Sequence, residues 1–192
     1  EAERIYRALL QWRPQEHQAR YLLGNLLARH KRWDEALAEY ALVPPQHRQY
    51  VEARLRMSAI YRLQQQLRRA YELLFACARL HPAHGPLFLA MGRLLYDMGL
   101  GAQAARAFER AVQLLPHDPH AHYLLGFVYT SLGRESWALM AWRRAVELAP
   151  EAHSLRYDLG SMYVRSGRYD LASLEFQRVL EQWPDDLETI FM

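Results

Sequence analysis

The 192-residue sequence predicts an all-α solenoid of stacked helix pairs, on three observations. Small and bulky residues return in one register every 34 residues. Within each period the apolar positions keep a helical spacing rather than a strand's alternation. Proline and glycine recur where helices must stop and turn. Half of the chain (51%) is hydrophobic, which excludes wholesale disorder. No apolar run approaches the 18 residues that a membrane-spanning helix needs, so no transmembrane segment is expected.

The register is carried by four columns. Pro82, Pro116, Pro150 and Pro184 lie one period apart, with Pro14 two periods before Pro82. Gly24, Gly92, Gly126 and Gly160 share a grid on which Ser58 fills the gap. Ala2, Ala36, Ala70, Ala104, Ala138 and Ala172 form an unbroken column, and four residues after each stands Tyr6, Tyr40, Leu74, Phe108, Trp142 or Phe176. Two antiparallel helices per period, A and B, account for this. Small residues in A and Ala in B let the backbones approach, and the bulky residue fills the layer between repeats. Leu23, Met57, Met91, Leu125 and Leu159 complete the helix-A stripe with Leu27, Tyr61, Leu95, Tyr129 and Tyr163. Gly99, Gly133 and Gly167 supply left-handed C-caps to helix A. The late proline ends helix B. Asp118-Pro119 and Asp185-Asp186 have the chemistry of N-caps for the next helix A. Pro44-Pro45 comes early, so one helix B should stop near Val43, and Pro45 should open a helix A that begins early.

The pattern Leu125-Gly126, Tyr129, Ala138, Trp142, Pro150, repeated as Leu159-Gly160, Tyr163, Ala172, Phe176, Pro184, resembles the tetratricopeptide repeat (TPR). The resemblance covers nearly the whole chain and implies an α-α superhelical solenoid of helix-turn-helix repeats. On that grid 1–192 is one solenoid: 1–16 is helix B of a truncated repeat, 17–50, 51–84, 85–118, 119–152 and 153–186 are complete, and 187–192 starts a further helix A. Eleven principal helices and no sheet are expected. The chain opens on Glu1 and stops on Met192, so it reads as a piece of a longer protein. The family's tryptophan near the start of helix A is replaced by Arg20, Arg54, Phe88, His122 and Arg156, which argues against tight packing at that corner.

The resemblance implies a concave wall made by helix A. At its wall positions stand Tyr21, Asn25, Arg29, Arg56, Arg62, Arg93, Tyr96, Asp97, Tyr123, Phe127, Thr130, Tyr157, Asp158, Ser161 and Arg165. Aromatic and arginine side chains are common interface anchors. The wall therefore suits a protein or peptide segment that is acidic at one end and apolar at the other. Removing Tyr123 and Tyr157 together should abolish capture while leaving melting near wild type. The carboxylate clamp of chaperone-binding members is not matched, because Tyr21, Arg56, Pro86 and Ala90 replace its polar residues and only Asn25 fits.

Catalysis is not expected. There is no Gly-rich phosphate loop, nucleophile elbow or metalloprotease motif. His117, Asp118, His120 and His122 are crowded, with His81, His84 and His153 at similar turns, but these are turn and helix-start positions, and neither a metal nor a cofactor is expected. Cys77, the single cysteine, falls in a packing column with Ala111, Ala145 and Val179. With 24 Lys and Arg against 21 Asp and Glu the net charge is only +3, too balanced for a nucleic-acid partner. Trp12, Trp33, Trp137 and Trp183 near repeat edges suit packing or a docking ridge. Ile5, Leu9 and Leu10 at a solenoid end offer a route to self-association. The leading reading is a protein-interaction scaffold in a multiprotein assembly. The alternative is a targeting arm of a larger enzyme. The Arg-rich, nearly Lys-free repeats look bacterial and fit either the cytoplasm or the periplasm and envelope.

Overall fold

The computed structural model describes residues 1–182. Within them the chain forms eleven helices and no strand. In order these are α1 (Ala2–Trp12), α2 (His17–Arg29), α3 (Trp33–Ala41), α4 (Tyr50–Leu63), α5 (Leu67–Leu80), α6 (Gly85–Asp97), α7 (Gly101–Leu114), α8 (Pro119–Ser131), α9 (Glu135–Leu148), α10 (His153–Arg165) and α11 (Tyr169–Gln182). Trp183, Pro184, the Asp185-Asp186 cap and the helix expected over 187–192 lie outside the described residues. Two compact units are present, Glu1–Met98 and a second that begins at Gly99, so the boundary falls between the two helices of the expected repeat 85–118. In the first unit α2 packs on α3, α4 on α5, and α5 on α6. In the second α8 packs on α9, α10 on α11, and α7 and α10 flank that pair.

The columns mark the core. Ala36, Ala70, Ala104, Ala138 and Ala172 are buried, whereas Ala2, on a helix without an A partner in the chain, is exposed. The glycine column works differently from the sequence expectation. A Cβ at Gly24 would lie 2.6 Å from Tyr40 Cε1, at Gly126 3.0 Å from the Trp142 ring, and at Gly160 2.6 Å from Phe176 Cε1. Each glycine is thus the bed for the aromatic ring of its own repeat, rather than a backbone spacer between the two helices. Where the small residue is Ser58, the ring position holds the smaller Leu74, and both are buried.

Helices B end two residues before proline: α1, α5, α7 and α9 stop at Trp12, Leu80, Leu114 and Leu148, ahead of Pro14, Pro82, Pro116 and Pro150. Proline disfavours helical backbone in the residue before it, which sets the stop. Helix α3 is cut to nine residues where the other complete B helices have fourteen. Pro44-Pro45 stops it near Val43 as expected, but Pro45 does not open a helix: residues 42–49 form a turn and α4 starts at Tyr50. Asp118 caps α8 by accepting from the His120 backbone N–H at 2.9 Å, with Pro119 in the first turn. The turn after helix A needs a left-handed residue. Gly99, Gly133 and Gly167 supply it with φ of 76°, 68° and 68°, and at the equivalent places Lys31 and Gln65 are forced to φ of 60° and 59°.

The corner that lacks the family tryptophan is tightly held, contrary to the sequence expectation. Arg20 donates to the Pro14 carbonyl at 2.8 Å, His122 to Pro116 at 3.1 Å, and Arg156 to Pro150 at 3.1 Å. Arg54, whose upstream turn is displaced by Pro44-Pro45, reaches the Ala41 and Val43 carbonyls and lies over the Tyr50 ring. Arg20 and Arg156 also bind Glu39 and Glu175 at 3.2 and 2.9 Å. A polar side chain thereby ties the proline carbonyl in the turn after one helix B to the next helix A.

Candidate functional site

In the first unit the wall residues of helix A lie on α2, α4 and α6. Tyr21 rests on the Tyr40 ring, centroids 6.0 Å apart. Half-buried Asn25 accepts the Tyr40 hydroxyl at 2.7 Å. Burial pushes the Tyr40 hydroxyl far above the ordinary tyrosine range. Arg56 is exposed and ion-paired with Glu52 at 3.0 Å. Burial opposes its charge, but Glu52 and the Tyr21 hydroxyl outweigh that and raise its pKa. Arg62 of α4 binds Asp97 of α6. Exposed Arg93 and half-buried Tyr96 complete this face. Its arginines 56 and 62 are thus already matched by carboxylates, and the wall is less basic than a count of its arginines suggests.

In the second unit Tyr123, Phe127 and Thr130 stand on α8, and Tyr157, Asp158, Ser161 and Arg165 on α10. Tyr123 meets Trp142 edge-on at 4.8 Å and 89°, and stacks on His120 at 6.2 Å. Tyr157 lies 5.5 Å from Phe176. Tyrosine therefore covers the column aromatic in three repeats, with the same separation of 19 residues each time. These rings serve the fold as well as any partner, so a double alanine variant at Tyr123 and Tyr157 should melt lower, not near wild type. Phe127 is 44% exposed and Val164 of α10 42%, so this face presents apolar surface to solvent. Arg165 is exposed beside Thr130 and Met162. Half-buried Asp158 has no hydrogen-bond or ion-pair partner among the described residues, and burial holds its carboxyl above the usual range. Burial likewise raises Tyr123, and the Asp158 charge adds to it.

The remaining candidates resolve into structure. Cys77 is buried and burial raises its thiol pKa, so it packs as a small hydrophobe. His122 is buried on its carbonyl, and among the described residues no three His, Cys, Asp or Glu side chains are arranged to hold a metal. Trp33 packs on the core, whereas Trp12 is 74% exposed beneath the Arg13 guanidinium. Ile5 is exposed, while Leu9 is half-buried and Leu10 packs on the core. The sequence reading missed the Arg–Glu pairs at 20/39 and 156/175. Their shared grid positions are the signal that would have found them.

Family models described as tetratricopeptide repeat match residues 1–60, 89–142 and 137–186. The chain belongs to the tetratricopeptide repeat family, whose fold is a protein-interaction fold. Among solved structures it is similar to a MamA RS-1 double mutant, with a TM-score of 0.77 at 23% identity over 90% of this chain and 97% of that one. MamA from Desulfovibrio magneticus RS-1, residues 41 to the end, gives 0.72 at 22% identity over 95% of each chain. YrrB, a TPR protein described as having an unusual peptide-binding site, gives 0.71 at 19% identity over 95% and 94%. No curated protein matches significantly in sequence.

Proposed function

We propose that the chain is a non-catalytic scaffold that binds an extended or helical segment of a partner protein on the helix-A face of its units, within a larger assembly. Exposed Phe127 carries this reading: it is a large apolar side chain, 44% exposed on the helix that also carries Tyr123, and exposed Val164 of α10 adds apolar surface to the same face. Tyr123, Phe127, Tyr157 and Arg165 form the contact surface of the second unit. Tyr21, Asn25, Arg56, Arg62, Arg93 and Tyr96 form that of the first. The partner is protein, not nucleic acid, and self-association through α1 is the secondary contact.

A photo-crosslinking residue at 127 should capture a partner whose mapped segment then binds the purified chain. Phe127→Asp should weaken that binding about thirtyfold or more, the scale of losing a central anchor, without lowering the melting temperature. Equal affinity of the variant for the mapped segment would refute the assignment.

A further inference from the structure

The opposite, helix-B face of the second unit carries a cavity of about 580 Å³. Its walls are Val112 of α7, Leu125 and Tyr129 of α8, and Trp137, Met140 and Ala141 of α9. The chain contains two internal controls for this place. Between α1 and α3, Arg20 pairs with Glu39, and the cavity there is about 410 Å³. Between α9 and α11, Arg156 pairs with Glu175, and the cavity is again about 410 Å³. At the matching positions of the repeat 119–152 stand His122 and Ala141. The His122 ring reaches the Pro116 carbonyl and goes no further, and the Ala141 methyl offers no charge. The Arg–Glu pair of 20/39 and 156/175 is absent here, as it is in the repeats where Leu73 and Ala107 hold the glutamate position, and the apolar walls are joined by Gln113 and His122.

The mouth of the cavity is apolar as well. Trp137 and Met140 are 56% and 59% exposed. Their counterparts in the first unit are Glu35 and Ala38, then Arg69 and Glu72. One period on, at the same positions of α11, Leu171 and Leu174 are exposed as well. Solvent-facing apolar clusters of this kind, rimmed by polar residues, mark binding surfaces. The volume lies within the range of ligand pockets. Around the rim, Glu109 accepts the Tyr129 hydroxyl at 2.7 Å, and Arg144 pairs with Glu147 at 3.0 Å. Arg134 lies near the Tyr129 ring and makes no ion pair among the described residues.

We propose that this cavity is a second docking site, taking an aromatic or long aliphatic side chain of a partner segment whose neighbouring acidic residue meets Arg134. It is independent of the helix-A face, and the two are separable by experiment. The full 192-residue chain, labelled at its methionine methyls and tryptophan indoles, is titrated in NMR with acetyl-Phe-Asp-amide and acetyl-Phe-Lys-amide. Saturable shifts are expected at Trp137 and Met140, with the acidic peptide binding at least threefold more tightly. Arg134→Gln should remove that preference. His122→Arg with Ala141→Glu installs the pair seen at 20/39 and 156/175 and should abolish the shifts. Met140→Glu, at an exposed position where folding is not at stake, should weaken binding tenfold or more. Phe127→Asp, which disables the helix-A face, should leave the Trp137 and Met140 shifts in place. Unchanged shifts in the Met140→Glu variant, no saturable shift with either peptide, or equal affinity for both peptides would overturn the proposal.

Discussion

The bed-and-ring pairing in the first repeat lends itself to a double-mutant cycle. Gly24→Ser alone places a Cβ 2.6 Å from Tyr40 Cε1, about 0.8 Å inside ordinary carbon contact. Tyr40 is fully buried and its hydroxyl is held by Asn25, so the ring has nowhere to go. Overpacking of this kind costs about 1–3 kcal/mol, offset by a few tenths from the better helix propensity of serine. Tyr40→Leu alone removes a buried ring and its hydrogen bond and should cost about 2–4 kcal/mol. The double variant recreates the Ser58 and Leu74 combination that the next repeat already uses. Its loss should therefore fall short of the sum of the singles by at least 1 kcal/mol. Urea unfolding followed by far-UV circular dichroism measures all four corners, with equal slopes as the check that a single transition is compared. Additivity within about 0.5 kcal/mol would refute the reasoning, because it would mean that the serine and the ring do not compete for one space.

Further outcomes are expected at the turns, the buried ion pair and two carboxylates. Gln65→Gly should stabilise by about 0.5–1 kcal/mol, and Gly133→Ala should destabilise by about 1 kcal/mol, because an added Cβ at Gly133 meets no neighbour and only the left-handed backbone is at issue. Parallel urea titrations check both. Glu175→Ala should cost about 3 kcal/mol by leaving buried Arg156 without its carboxylate, and Arg156→His in the same chain should recover much of that, since it copies His122 and Ala141. Asp158→Asn should raise the melting temperature at pH 7. The folded pKa of Asp158 is raised, so its carboxyl favours folding when protonated and that contribution is lost as pH rises from the unfolded value through the folded one. The gain should accordingly vanish near pH 3. Glu35 has the opposite sign: its bonds to Arg32 hold its pKa below the ordinary range, so its contribution is present above the unfolded value and lost as pH falls through the folded one. Glu35→Gln should therefore flatten the acid limb of the melting profile.

The helices were legible because each column has one dominant physical cause. From Ala36 to Ala172 the alanine column is buried, where a larger side chain would overpack, so the column is visible. A turn that needs a left-handed residue is less legible: three glycines announce it, but Lys31 and Gln65 adopt the same backbone, since the rest of the turn over-determines them. The corner at Arg20, His122 and Arg156 was illegible as packing for a related reason. The requirement there is to satisfy the carbonyls of the prolines themselves, and arginine or histidine does this as well as an apolar ring fills space.

The candidate site was legible only as a row of positions, and the reason lies in the rings. A tyrosine one turn ahead of the column glycine lands on the column aromatic of its own repeat, at Tyr21 and Tyr40, Tyr123 and Trp142, and Tyr157 and Phe176. The same residue type at the same place is thus demanded by packing, before any partner is considered. Recurrence across repeats therefore argues for the fold, and departures from recurrence argue for function. Phe127, exposed where the neighbouring wall positions hold polar residues, and Trp137, exposed where the three preceding repeats place Glu35, Arg69 and Gln103, are such departures. Substitutions at 127 and 140 change what a partner can touch and leave the glycine beds, the left-handed turns and the carbonyl ties in place. A binding defect at either position with unchanged melting therefore locates a docking face in a way that no substitution within the tyrosine row can.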